Sequence, residues 1–283
     1  MTMRKTGKRL LALVWAVAAS TTAQHAAPSA TEHVGVELIS EHTALAPGQS
    51  MQLGLLLRHE PDWHTYWINP GDSGLPTTLT WNLPSGLKAQ DIAWPLPMRF
   101  DVGGLYNFGY DGETLLPITL AVPSDAKAGT SAHLGVEAKW LVCREECIPG
   151  KASLSLDLPI SADPPKPDTR WTKQFARARL ALPQATAWKG EMRMDDDRIV
   201  IALRGPSLPD PKELDAFVEE RKIVDNKPPK IRRDGEALIV DFGKSDYFGT
   251  PPTTLDLVIT QPAAAGVRGW RVQVPFAANS AAP

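Results

Sequence analysis

Cysteine is nearly missing from this chain: two residues in 283, Cys143 and Cys147. A fold of this size with one cysteine pair does not rest on a disulfide framework, and each half is long enough to bury a core without staples. Charge of either sign is not in excess. The formal net charge is -2, and no long basic run lies beyond the extreme N-terminus, so phosphate-driven nucleic-acid binding has no electrostatic basis. Long apolar runs are also lacking after the first twenty residues, which leaves no later segment able to cross a bilayer as a helix.

What is abundant is punctuation. Twenty-six prolines and twenty-one glycines fall between short apolar stretches, the signature of a turn-rich β protein. At the start, Arg4, Lys5, Lys8 and Arg9 precede the apolar run Leu10 to Ala19. Thr21 and Ala23 then stand at -3 and -1 of a cut before Gln24. Residues 1–23 are therefore expected to be a secretory signal, because the run is shorter than the roughly 20 residues a membrane anchor needs. The rest is expected to be exported, soluble once the signal is removed.

The two cysteines sit at a hairpin tip. Leu134, Val136, Ala138, Trp140 and Val142 alternate with His133, Gly135, Glu137, Lys139 and Leu141, the period of a strand with one buried face. After an interruption carrying Pro149 and Gly150, Leu154, Leu156, Leu158 and Ile160 resume that period. Two such runs with a short connection read as an antiparallel pair.

Upstream, Val34 to Leu38 and Met51 to Leu57 read as strands. The stretch from Glu60 to Trp81 reads as an ordered loop rich in tryptophan, with Asp72 or Ser73 bonding nearby amides. Shorter strands are expected around Thr78–Asn82, Ile92–Trp94 and Leu116–Val122. Between the last two, Phe100, Leu105, Tyr106, Phe108 and Tyr110 are too many apolar groups for an idle solvent loop; they close a core or cover something. Seven or so strands at this spacing predict an immunoglobulin-like sandwich over residues 24–162. Ser161 to Asp168 is a proline-rich linker. Asp168 or Thr169 is expected to cap a short helix with Trp171, Phe175, Ala178 and Leu182 on one face, so that residues 163–187 form linker and helix. Residues 188–283 return to β patterning, with a hairpin turn at Asp234-Gly235 and no cysteine or histidine; they read as a second, smaller β domain serving as scaffold or docking module.

Three chemistries remain open for the cysteine pair from the residues alone. A structural disulfide closing so short a loop contributes only about 2 kcal/mol. A redox pair requires accessibility and local rigidity, both met by a hairpin tip. Two thiolates also suit Cu(I), whereas zinc wants four ligands, and His64 and His133 reach the site only through the fold.

Taken together, YWINPGDSGLPTTLTW (Tyr66 to Trp81), LLPITLAVP (Leu115 to Pro123) and KWLVCREECIPG (Lys139 to Gly150) resemble the N-terminal periplasmic domain of the thiol:disulfide interchange protein DsbD. They are closer still to the branch known as suppressor of copper sensitivity protein B. The resemblance covers Val34 to Ile160 and implies an all-β protein of two immunoglobulin-like sandwiches joined by the linker and helix. It also implies a thiol:disulfide oxidoreductase that passes electrons through Cys143 and Cys147, without cofactor or bound metal. The implied partners are thioredoxin-like periplasmic proteins. Because the family's multi-span membrane domain and thioredoxin-like domain do not occur in these 283 residues, a separate membrane donor is expected to supply the electrons. The family covers its cysteines with an aromatic-tipped loop, which makes Asp101, Leu105, Tyr106, Phe108 and Tyr110 cap candidates and His64 and Tyr66 rim candidates. The competing expectations are an immunoglobulin-like binding module with a structural disulfide, and a periplasmic Cu(I)-handling protein.

Overall fold

The structure, a computed structural model, describes residues 24–25, 29–250, 252–263 and 266–275; the expected signal segment lies outside them. The first half contains β1 (Gln24–His25), β2 (Ser29–Thr31), β3 (Val34–Ser40), β4 (Ser50–His59), β5 (Thr65–Gly71) and β6 (Thr78–Asn82). It continues with β7 (Lys88–Ile92), β8 (Met98–Val102), β9 (Leu105–Tyr110), β10 (Glu113–Ala121), β11 (Ser131–Cys143) and β12 (Cys147–Pro159). Helix α1 (Thr172–Ala181) follows, and the second half holds β13 (Gln184–Ala185), β14 (Lys189–Met194), β15 (Arg198–Arg204) and β16 (Asp215–Val218). It closes with β17 (Lys230–Asp234), β18 (Ala237–Gly243), β19 (Thr254–Ala263) and β20 (Gly266–Pro275).

Each half is an immunoglobulin-like sandwich. In the first, the sheet β1-β12-β11-β6 faces the sheet β2-β3-β4-β10-β7, and a three-stranded sheet β5-β9-β8 sits at one end. In the second, β13-β20-β19-β16 faces β14-β15-β18-β17. The alternating side chains of β11 bury Ala132, Leu134, Val136, Ala138, Trp140 and Val142 against Leu53, Leu55, Leu57, Leu116 and Ile118 of the opposite sheet. Pro149 and Gly150 do not interrupt β12. It pairs with β11 in unbroken register from Cys143↔Cys147 to Ser131↔Pro159. Proline is tolerated here because β1 reaches only Leu156 and Asp157, which leaves this part of β12 an edge among the described residues. The ring of Trp140 lies over Gly150, where a Cβ would come within 2.3 Å of it.

The proline-rich linker is tacked to the first sandwich. His42 bridges Pro167, the Thr43 amide donates to Lys166 O at 2.9 Å, and Leu45 bridges Ile160. Helix α1 then lays Phe175 and Ala178 onto Ile39, Leu56 and Leu115, covering the outer face of β3, β4 and β10. The helix begins at Trp171 without a side-chain cap. Asp168, expected as a cap, is instead buried and ion-paired to Arg170 at 2.6 Å.

The two halves share a core. Phe217 of β16 and Val258 of β19 belong to the first sandwich's apolar cluster. Phe217 meets Trp67 and Phe108 edge to face, at 6.1 and 5.0 Å between ring centroids. Burying an aromatic ring of this size stabilises the contact by about 2–3 kcal/mol before ordering costs.

Candidate functional site

The tip of the β11–β12 hairpin carries a Cys143–Cys147 disulfide, with the two Cα atoms 4.2 Å apart. The bridge is asymmetric. Cys143 is 2% exposed, whereas Cys147 lies on the exposed side of the tip with Arg144, Glu145 and Glu146. Arg144 rests its guanidinium 5.3 Å from the ring centre of Trp63.

Cys143 is held from the side by His64. The His64 amide donates to Cys143 O and the Cys143 amide donates to His64 O, both at 2.9 Å. This reciprocal pairing sets the two side chains next to each other on one face. His64 is 2% exposed, and its Nε2 has no hydrogen-bond partner. Burial, assisted by the nearby His59, lowers its pKa to about 4, so the imidazole is neutral at ordinary pH. Two residues on, the Tyr66 hydroxyl is 3.4 Å from Cys147 Sγ, and burial raises that phenol's pKa. Tyr66 needs Gly74 beside it: Gly74 has φ +91°, and a Cβ there would stand 2.2 Å from the Tyr66 ring.

The stretch from Glu60 to Trp81 is only partly a loop. Thr65–Gly71, within the stretch that reads as loop from the sequence, is a strand that pairs with β9 and slips register between Tyr66 and Gly71. Asp72 does bond an amide, but a distant one: it accepts from Tyr106 N at 2.7 Å, while Ser73 N and Oγ donate to Asn107 Oδ1.

The glycine- and aromatic-rich stretch is a hairpin. β8 and β9 turn at Gly103-Gly104, both with positive φ, and Asp101 Oδ1 accepts the Gly104 amide at 2.9 Å. Its register pairs Arg99 with Phe108, Phe100 with Asn107, and Asp101 with Tyr106. Period-two alternation therefore sends the side chains to opposite faces. Phe100 faces His64, the neighbour of Cys143, and stacks on it at 4.5 Å with 14° between the planes. Phe108 and Tyr110, expected at the cap, face the other way. Phe108 lies against Phe217, and Tyr110 is buried with its hydroxyl donating to Pro95 O at 2.8 Å. Tyr106 shares that face and packs against the core, and Leu105 stands 51% exposed at the tip. His64, Tyr66 and the two cysteines are thus brought together, while Phe108 and Tyr110 are not. Sequence reasoning missed Phe100 as the ring stacked on His64, although reading Gly103-Gly104 as a two-residue turn fixes which residues share its face.

His133 pairs with Asp157 on the exposed sheet and does not approach the sulfurs. No group of three or more histidine, cysteine, aspartate or glutamate side chains is placed to hold a metal among the described residues. Nor is any described helix long and apolar enough to cross a membrane.

Residues 35–159 match the family described as thiol:disulfide interchange protein DsbD, N-terminal. That stretch, a little under half of the chain, is a DsbD N-terminal-like domain. It is a thiol–disulfide interchange module built on one cysteine pair. No curated protein sequence matches it. Among solved structures, the N-terminal periplasmic domain of ScsB from Proteus mirabilis superposes with a TM-score of 0.63 at 22% identity, covering 87% of this chain and 94% of that one. The likeness thus extends past the DsbD N-terminal domain into the second sandwich, and it is a likeness of fold. The YadV chaperone aligns with a TM-score of 0.21 at 9% identity, over 84% and 99% of the two chains. The CsuC–CsuE chaperone–adhesin complex from Acinetobacter baumannii gives 0.24 at 8%, over 84% and 97%.

Proposed function

We propose that this protein works in the periplasm as an electron carrier, in which Cys147 exchanges disulfides with a thioredoxin-like partner and Cys143 resolves the product. The observation that carries the reading is the asymmetry of the pair, one cysteine exposed and the other buried beside His64.

In the reduced protein, the Cys147 thiolate attacks one sulfur of the partner's disulfide and the partner's other sulfur leaves as a thiolate. The mixed disulfide is then attacked at Cys147 Sγ by the Cys143 thiolate. The partner departs as a dithiol with two electrons, and the Cys143–Cys147 bridge re-forms. A separate membrane donor restores the dithiol by the same two steps in reverse. Tyr66 supports the attack, since its hydroxyl lies within reach of Cys147 Sγ and stabilises the thiolate by donating to it. Phe100 and its hairpin form the cap: a ring stacked on His64 shields the buried sulfur from unsuited thiols until a partner displaces it.

Trapping tests the assignment. Cys143→Ser leaves Cys147 unable to be resolved and should accumulate a mixed disulfide with a thioredoxin-fold protein, identified by mass; Cys147→Ser should accumulate none. Equal trapping by both variants would refute the division of labour. A reduction midpoint below about -300 mV, outside the roughly -270 to -120 mV spanned by exchange proteins, would leave the bridge a structural bond.

A further inference from the structure

The second sandwich has no thiol and no histidine, yet it grips the hairpin that carries Phe100. We propose that it serves as the brace of the cap, with Arg99 as the positioning residue through which it sets Phe100 over the site. This inference rests on the reading of Phe100 as cap.

Among the described residues β8 is the outer strand of the sheet β5-β9-β8, paired along one side, with β9. The place of an edge strand that ends in a Gly-Gly turn is therefore decided by its side chains. Arg99 and Phe100 are neighbours whose side chains leave opposite faces. The guanidinium of Arg99, 8% exposed, makes a two-pronged contact with Asp215: Nε donates to Oδ2 at 3.0 Å and Nη2 to Oδ1 at 2.8 Å. Nη2 also donates to Ala216 O at 2.9 Å, and Nη1 donates to Asn226 O. Phe108 and Phe217, perpendicular to each other, both lie against the guanidinium, with ring centres 4.6 and 4.7 Å away. All of its polar partners named here lie in the second sandwich, and a planar fork that is both hydrogen-bonded and packed against two rings has little freedom to re-aim.

The other strand of the hairpin is tied to the same half through a relay. Asn226 Nδ2 donates to Asp72 Oδ1 at 2.8 Å, and Asp72 in turn exchanges bonds with the backbone of Tyr106, Oδ2 accepting from N and Asp72 N donating to Tyr106 O at 2.9 Å. Beneath it, Asn69 Nδ2 donates to Val218 O at 2.7 Å in a buried position. With Arg99 anchored on one strand and Tyr106 on the other, only the turn at Gly103 and Gly104 is left unheld by these contacts, and the Cβ positions there meet nothing within 4 Å. A partner that lifts Phe100 must work against the grip on Arg99, so the second sandwich sets how readily the cap opens.

The test is a double-mutant cycle read as the rate at which dithiothreitol reduces the Cys143–Cys147 bridge in the full chain. Phe100→Ala should speed reduction on the order of tenfold, the effect of about 1.4 kcal/mol of lost closure. Asp215→Ala should give a comparable acceleration, and the double variant should be no faster than Phe100→Ala alone, because both act through one ring. Asp215→Asn, which keeps the side-chain volume, serves if the alanine variant folds poorly and should accelerate in the same direction. A normal rate for both Asp215 variants beside a fast Phe100→Ala would overturn the brace and leave the cap standing. Multiplying effects in the double variant would also overturn the brace, since Asp215 would then act by another route. A normal rate for Phe100→Ala would remove the cap itself, and the brace with it.

Discussion

His64 makes the native state acid-sensitive in a window set by its own burial. Its folded pKa of about 4 lies below the 6.5 of an unfolded chain, so below pH 6.5 the unfolded state takes up a proton that the folded state refuses. The stabilisation is therefore complete above pH 6.5 and is lost as the pH falls towards 4. From the two pKa values the loss from this residue is about 2 kcal/mol between pH 8 and pH 5, rising to about 3 kcal/mol below pH 4. His64→Phe removes the titration while keeping a ring against Phe100, and it abandons no hydrogen bond at Nε2, which has none. The assay is urea unfolding of the oxidised protein at both pH values, comparing the drop in stability of wild type and variant, so that the titrating groups not coupled to His64 cancel. The variant's drop should be smaller by about 2 kcal/mol. Drops that agree within about 0.5 kcal/mol would show that the imidazole is not held neutral beside Cys143, and the tight packing argued for this corner of the site would be wrong.

Glu219 should act in the opposite sense: burial raises its pKa to about 7 despite Arg271, so its favourable contribution is complete below pH 4.5 and is lost as the pH rises through 7. Glu219→Gln should flatten that part of the stability–pH curve, and an unchanged slope between pH 4.5 and 7 would contradict it. Tyr66→Phe should raise the pKa of the reduced Cys147 thiol and slow its alkylation at pH 7 several-fold, for a hydrogen bond worth about 1–2 kcal/mol; equal alkylation rates would take Tyr66 out of the chemistry. Gly74→Ala combines a left-handed backbone with a collision against the Tyr66 ring and should cost about 2–4 kcal/mol in denaturant unfolding. A cost under about 0.5 kcal/mol would mean that the loop relaxes freely.

The β11–β12 hairpin was legible because its six inward residues repeat every second position, a pattern that local sequence displays in full. The same signal failed for β5, whose slip in register between Tyr66 and Gly71 hides the alternation behind an Asn-Pro-Gly sequence that imitates a turn. The cap candidates Phe108 and Tyr110 turn away from the face that carries Phe100, since composition says that aromatics are present and only the turn at Gly103-Gly104 says which way each one points. Asp168 looked like a helix cap because aspartate before a helix usually is one. Here Arg170, two residues away, claims the carboxylate, and Trp171 opens the helix uncapped. The grip on Arg99 was beyond local reading altogether: its carboxylate partner lies 116 residues downstream.

The way α1 and the linker lie on the first sandwich bears on how the two halves are separated at the bench. A chain cut at the prolines after Ile160 would lay bare Ile39, Leu56 and Leu115 and invite clumping, so the cut belongs beyond Leu182. Even then, Trp67 and Phe108 would miss Phe217. The first half alone is thus a cleaved molecule with a raw surface, and rates measured on it describe a looser gate than the intact protein has.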